Sequence, residues 1–102
     1  MADAKLEQLL DVLQSALLVN PGDVWKRVRL GQTHQELGRL DEAVTAFRRA
    51  IRDRPDYGEA HAGLGGVLAQ QGKWAEAEVS LREAIRLKPD LVEPHLTLAE
   101  GY

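Results

Sequence analysis

The side chains best suited to chemistry in this sequence are three histidines, two serines, a cluster of glycines and a ridge of arginines. Imidazoles become metal ligands when several converge, which on one helix calls for an H-x-x-x-H or H-E-x-x-H spacing. His34, His61 and His95 follow neither pattern, and His61 lies 34 residues from His95, on a different element. No metal and no cofactor is expected. Ser15 and Ser80 sit in helical patterns without the G-x-S-x-G turn that exposes a nucleophile. Gly63, Gly65 and Gly66 form no phosphate-cradling loop. Inside a helix each lowers stability by about 1 kcal/mol relative to alanine, so they mark either a close helix contact or a flexible spot. With no acid, base, nucleophile or metal constellation, no catalytic residue is expected and the chain is read as a non-enzyme.

Arg48, Arg49, Arg52 and Arg54, echoed by Arg82, Arg86 and Lys88, make a basic ridge that nucleic acid could use. Asp53, Asp56 and Glu83 dilute it, and no stacking aromatics accompany it. Cations near helix C-termini are favoured by the helix dipole in any case. The formal net charge of -3 adds a general repulsion of polyanions, so nucleic acid is not an expected partner.

The elements that position these groups follow from composition. At 102 residues the chain holds one domain, and 44% hydrophobic content argues against disorder. Aromatics make up only 5%, whereas Ala, Leu, Glu, Arg and Gln abound, which favours helices over strands. There is no cysteine, hence neither a disulfide framework nor a thiolate metal site. The N-terminal stretch carries Glu7, Gln8, Asp11 and Gln14, unlike a secretory signal, and no apolar run reaches membrane-spanning length. Membrane partners are therefore not expected, and a cytoplasmic location is favoured.

One period organises the chain. Pro21, Pro55 and Pro89 lie 34 residues apart, and the same shift aligns Ala16 with Ala50 and Ala84, and Leu13 with Phe47 and Leu81. It also brings Leu30 onto Leu64 and Leu98, Gly38 onto Gly72, and Leu6 onto Leu40 and Trp74. The last column predicts Trp74 to be a core residue. Each period divides at a glycine into two amphipathic patterns, with Leu6, Leu9, Leu10, Leu13, Ala16 and Leu17 forming one apolar stripe. Asp23, Asp41, Asp56 and Asp90 are suited to cap helix N-termini, and Asp56 with Glu59 and Asp90 with Glu93 resemble capping boxes. Helices are predicted at about Asp3 to Leu18, Asp23 to Leu37, Asp41 to Asp53, Gly58 to Gln71, Lys73 to Leu87 and Leu91 to Tyr102.

These residues resemble the tetratricopeptide repeat family. Leu30, Gly31, Ala43, Phe47, Ala50 and Pro55 reproduce its signature in one copy, and Leu64, Gly65, Ala77, Leu81, Ala84 and Pro89 in the next. The family's early tryptophan is replaced by Arg27, His61 and His95, and its following aromatic by His34 and Leu68, with Tyr102 alone keeping it. The resemblance implies an all-α fold, a right-handed superhelical array of antiparallel helix pairs. Six helices would comprise an orphan second helix (1–22), two complete repeats (23–56 and 57–90) and an orphan first helix (91–102).

It also implies a protein-interaction scaffold that binds a partner peptide or helix along a concave face lined by the first helix of each pair. Carried over column by column, that face holds Trp25, Val28, Gln32, Gln35 and Glu36, then Glu59, Ala62, Gly66, Ala69 and Gln70, then Glu93, Leu96 and Glu100. Its carboxylates suit a segment bearing Lys or Arg. Slots that grip chaperone-tail carboxylates in some relatives hold Val28, Gln32, Gly63, Glu93 and Thr97, with no cation among them, so that ligand is not expected. Trp25 is either an exposed hot spot or packed on the loop after Pro21.

The ends suggest an alternative, a self-assembly module. Leu98, His95 and Tyr102 would form a stripe with no following helix to cover it, and the stripe of Leu6, Leu9, Leu10 and Leu13 from another copy would fit in register as a homo-oligomer contact. An excised segment of a longer array would show the same ends.

Overall fold

The computed structural model describes residues 2–91, with side chains from residue 4 onward. They form α1 (Ala2–Val19), α2 (Val24–Glu36), α3 (Leu40–Asp53), α4 (Gly58–Gln70) and α5 (Trp74–Leu87), with no strand among the described residues. The expected sixth helix, and with it Glu93, His95, Leu96, Leu98, Glu100 and Tyr102, lies outside them. No described helix is long and apolar enough to cross a membrane.

The helix ends repeat as the sequence does. α2 and α4 both close on a glycine in the left-handed region, Gly38 at φ 77° and Gly72 at φ 81°, where a side chain would be strained. Arg39 N donates to His34 O at 2.8 Å and Lys73 N to Leu68 O at 2.9 Å, the same bond one period on. α3 and α5 stop instead at Arg54 and Lys88, which the following prolines push out of the helical region. Turns this short lay successive helices against each other as antiparallel neighbours, and α2 additionally touches α4.

The starts differ from expectation. Asp23 does cap α2, its carboxylate accepting from Lys26 N at 3.2 Å. Asp41 is not a cap: Arg39 holds that position, and Asp41 lies in the first turn of α3 beside Glu42, where the dipole favours it without a capping bond. Asp56 lies one residue outside Tyr57, the cap residue of α4, so no capping box forms and Glu59 pairs with Lys88 instead.

The core follows the period closely. Ala43, Phe47 and Ala50 are fully buried, as are Ala77, Leu81 and Ala84 in the next copy. Leu10, Leu13 and Leu17 of α1 pack with Leu30 and Ala46. Trp74 breaks the pattern: it is 41% exposed and not a core residue. It stands at the first position of α5, and Ala77 and Leu81, further into the helix, take the buried places.

Candidate functional site

Trp25, Gln32 and Glu36 recur at three- to four-residue steps or whole turns, so they share one face of α2. α4 lies alongside and presents Ala62, Gly66, Ala69 and Gln70. The two helices are tied across this face by Gln35 Nε2, which donates to Gln70 Oε1 at 2.6 Å. Gly66 lies beneath that bridge, where a β-carbon would come within 3.7 Å of Gln35 Nε2. Gln32, Ala62 and Ala69 are half-buried and form the floor, while Trp25, Glu36 and Gln70 are exposed.

Two expected members of this face do other work. Val28 is only 4% exposed and belongs to the core with Val24, because an apolar pair one turn apart turns together toward Ala43 and Phe47. Glu59 is engaged by Lys88 Nζ at 3.3 Å, so its charge is already compensated. Glu36, by contrast, has no ion-pair partner among the described residues.

The face ends at its Trp25 side in a pocket of about 650 Å³, lined by Gly22, Asp23, Val24, Trp25, Asp53, Arg54 and Tyr57. Trp25 is 59% exposed, so it forms a wall and is not packed away under the loop after Pro21. The Arg54 guanidinium lies 5.9 Å from the centre of the Tyr57 ring, within cation–π range. Burial raises the Tyr57 hydroxyl above its ordinary pKa, and nearby Glu59 pushes the same way. Sequence reasoning missed Tyr57. The signal was an aromatic residue immediately before a helix start, two residues after the repeat's proline.

The remaining candidates are dispersed. His34 is buried on α2, and His61 Nε2 bonds the Pro55 carbonyl at 2.8 Å. No three His, Asp or Glu side chains gather as a metal site among the described residues. The second copy of the basic ridge is neutralised: Arg82 pairs with Glu78 at 2.9 Å, Arg86 with Glu83, and Lys88 with Glu59. Of the expected self-association stripe, Leu10 and Leu13 are buried against this chain's own Leu30 and Ala46. Leu6 and Leu9 are half-buried, whereas Val12, Leu18 and Val19 are the exposed apolar residues of α1.

Residues 28–91 match the sequence model of the tetratricopeptide repeat family. The chain is 40% identical over 48 residues to Superkiller protein 3 of Saccharomyces cerevisiae, covering 47% of this chain and 3% of that protein. It is 33% identical over 63 residues to the peroxisomal targeting signal receptor of Candida glabrata, covering 62% of this chain and 11% of the receptor. The chain thus spans a small part of the length of either relative. Among solved structures it is similar to YrrB, a tetratricopeptide repeat protein with an unusual peptide-binding site, at 28% identity and a TM-score of 0.82, covering 97% of this chain and 52% of that one.

Proposed function

The chain belongs to the tetratricopeptide repeat family, and from that premise we propose that it is a protein-interaction module holding a segment of a partner polypeptide along the face of α2 and α4. In the right-handed superhelix that the family's stacking implies, this face is concave. Trp25, Gln32, Gln35, Glu36, Ala62, Gly66, Ala69 and Gln70 contact the segment; Glu93, Leu96 and Glu100, expected on the same face, lie outside the described residues. Val28 and Glu59 take no part.

The exposure of Trp25 beside an open pocket carries this proposal. A large aromatic left half in water supplies binding energy when a partner covers it, and it costs little conformational entropy to do so. The glutamine amides donate and accept, as an extended backbone requires. Asp23 and Asp53 both line the pocket, and Glu36 has no ion-pair partner among the described residues, so the segment carries Lys or Arg. The relatives agree in kind: YrrB has a peptide-binding site and the Candida glabrata protein is a receptor for a targeting signal.

The test is peptide capture by the intact chain. Peptides selected on the wild type should lose about tenfold or more in affinity against Trp25→Ala, as expected of an interface hot spot, and should weaken against Glu36→Lys. Thermal unfolding should be unchanged in both. Undiminished binding to Trp25→Ala would end this reading.

Self-assembly is the second reading, supported by the exposed Val12, Leu18 and Val19 on α1. Light scattering during gel filtration separates the two, since a strict monomer at high concentration eliminates it.

A further inference from the structure

On α2, Arg27, Leu30 and His34 lie three and four residues apart, on the side opposite Trp25, Gln32 and Glu36. With Glu42, Thr45, Ala46, Arg48, Arg49 and Arg52 of α3 they line a second pocket, of about 610 Å³. We propose that this pocket binds a phosphate monoester carried on a side chain of a partner protein.

The charges are unbalanced. Four guanidinium groups, from Arg27, Arg48, Arg49 and Arg52, face Glu42 in the wall and Asp53, which pairs with Arg49 at 4.0 Å. Two positive charges remain, matching a phosphate ester, which carries nearly two negative charges at neutral pH. Arg48 and Arg52 have no ion-pair or hydrogen-bond partner among the described residues.

Two polar atoms in the walls are also unanswered. Arg27 Nη2 donates to the Pro21 carbonyl at 2.9 Å, which anchors the side chain, yet its Nε is buried without a partner among the described residues. His34 is 7% exposed, and its Nδ1 is likewise buried and unpartnered. Leaving such groups unmade is costly, and an anion seated between the arginines answers the guanidinium directly. The helix dipole accounts for Arg52 in the last turn of α3 but opposes Arg27, near the N-terminal end of α2. Burial and then Arg49 lower the pKa of Arg27 from its ordinary value, with Asp53 raising it and Arg52 lowering it further.

The pocket suits one phosphoryl group on a protein better than a nucleic-acid backbone. Glu42 interrupts its wall, no Phe, Tyr or Trp lines it, and the corresponding cations one period on, Arg82 and Arg86, are paired with Glu78 and Glu83.

The experiment is an NMR titration of the intact chain with N-acetyl-O-phosphoserine amide at low ionic strength, following the arginine Nε–H signals. The expected result is a saturable shift at Arg27. Arg48→Gln and Arg52→Gln should each weaken binding about tenfold, the loss of one charge-assisted bond. Both are exposed and should leave thermal unfolding unchanged. Arg29→Gln, an exposed arginine outside the pocket, should have no effect. A shift that does not saturate, or an equal loss with Arg29→Gln, overturns the proposal. So does equal binding of N-acetyl-aspartate amide or inorganic phosphate, or displacement by a short single-stranded oligonucleotide. Because the pocket and the peptide-binding face lie on opposite sides of α2, Trp25→Ala should not alter the titration, and either site can fail alone.

Discussion

Gly63 of α4 lies so close to the ring of Phe47 on α3 that a β-carbon added to it would fall well inside the 3.0 Å that real β-carbons keep. Gly31 of α2 meets the same atoms of the ring, with its virtual β-carbon 2.8 Å from Cε1. One fully buried aromatic ring is therefore held between two bare stretches of helix backbone, which sets how closely consecutive pairs stack.

Gly63→Ala should destabilise the chain. Alanine improves helix propensity by about 1 kcal/mol, but overpacking a core that cannot yield costs about 1–3 kcal/mol. The steric term wins because the ring is fully buried and Gly31 already crowds the same atoms. Urea unfolding should show a lower midpoint at an unchanged slope, and an equal or higher midpoint would refute the packing account.

Gly66→Ala should do the opposite. Among the described residues the one neighbour of its β-carbon within 4 Å is the amide end of Gln35, at an ordinary 3.7 Å, so the propensity gain of about 0.5–1 kcal/mol stands alone. The same urea titration reads it as a raised midpoint.

These glycines show what the sequence could and could not reveal. The 34-residue period located the core almost residue by residue, because burial of Phe47 and Leu81, or Ala50 and Ala84, recurs whenever one hairpin packs on the next. Gly63 and Gly66 look alike in the sequence, and only the position of the Phe47 ring separates a close contact from an open site. Caps were less legible, since moving a helix start by one or two residues put Arg39 and Tyr57 where Asp41 and Asp56 were expected. Column transfer misplaced Val28, whose apolar side chain follows Val24 into the core. The Trp25 pocket was invisible because Asp53, Arg54 and Tyr57 reach it from a different turn.

Stability should decline on mild acidification through His34. Burial holds its imidazole below the ordinary value of 6.5, with Glu42 raising it and Arg39 lowering it again. The unfolded chain then takes up a proton before the folded one does. The His34 contribution is complete above about pH 6.5 and is lost as pH falls from there through the depressed folded pKa. His34→Gln should flatten the stability profile in that window. Because both proteins share every carboxylate, parallel profiles would show that His34 is not responsible.

Asp23 combines two roles that a pair of substitutions can separate. Its carboxylate caps α2 through Lys26 N, lies 3.7 Å from Lys26 Nζ, and lines the pocket beside Trp25. Asp23→Ala removes cap and charge together and should cost about 1 kcal/mol of stability. Asp23→Asn keeps a side-chain oxygen that caps as well as aspartate does, and it gives up only an exposed ion pair worth about 0–1 kcal/mol. The asparagine variant should therefore unfold close to the wild type while binding a Lys- or Arg-bearing segment more weakly, because the pocket then loses one of its two lining carboxylates. Thermal unfolding and peptide titration on the same three proteins decide it. If Asp23→Asn binds a basic segment as tightly as the wild type does, the pocket does not select its partner by charge.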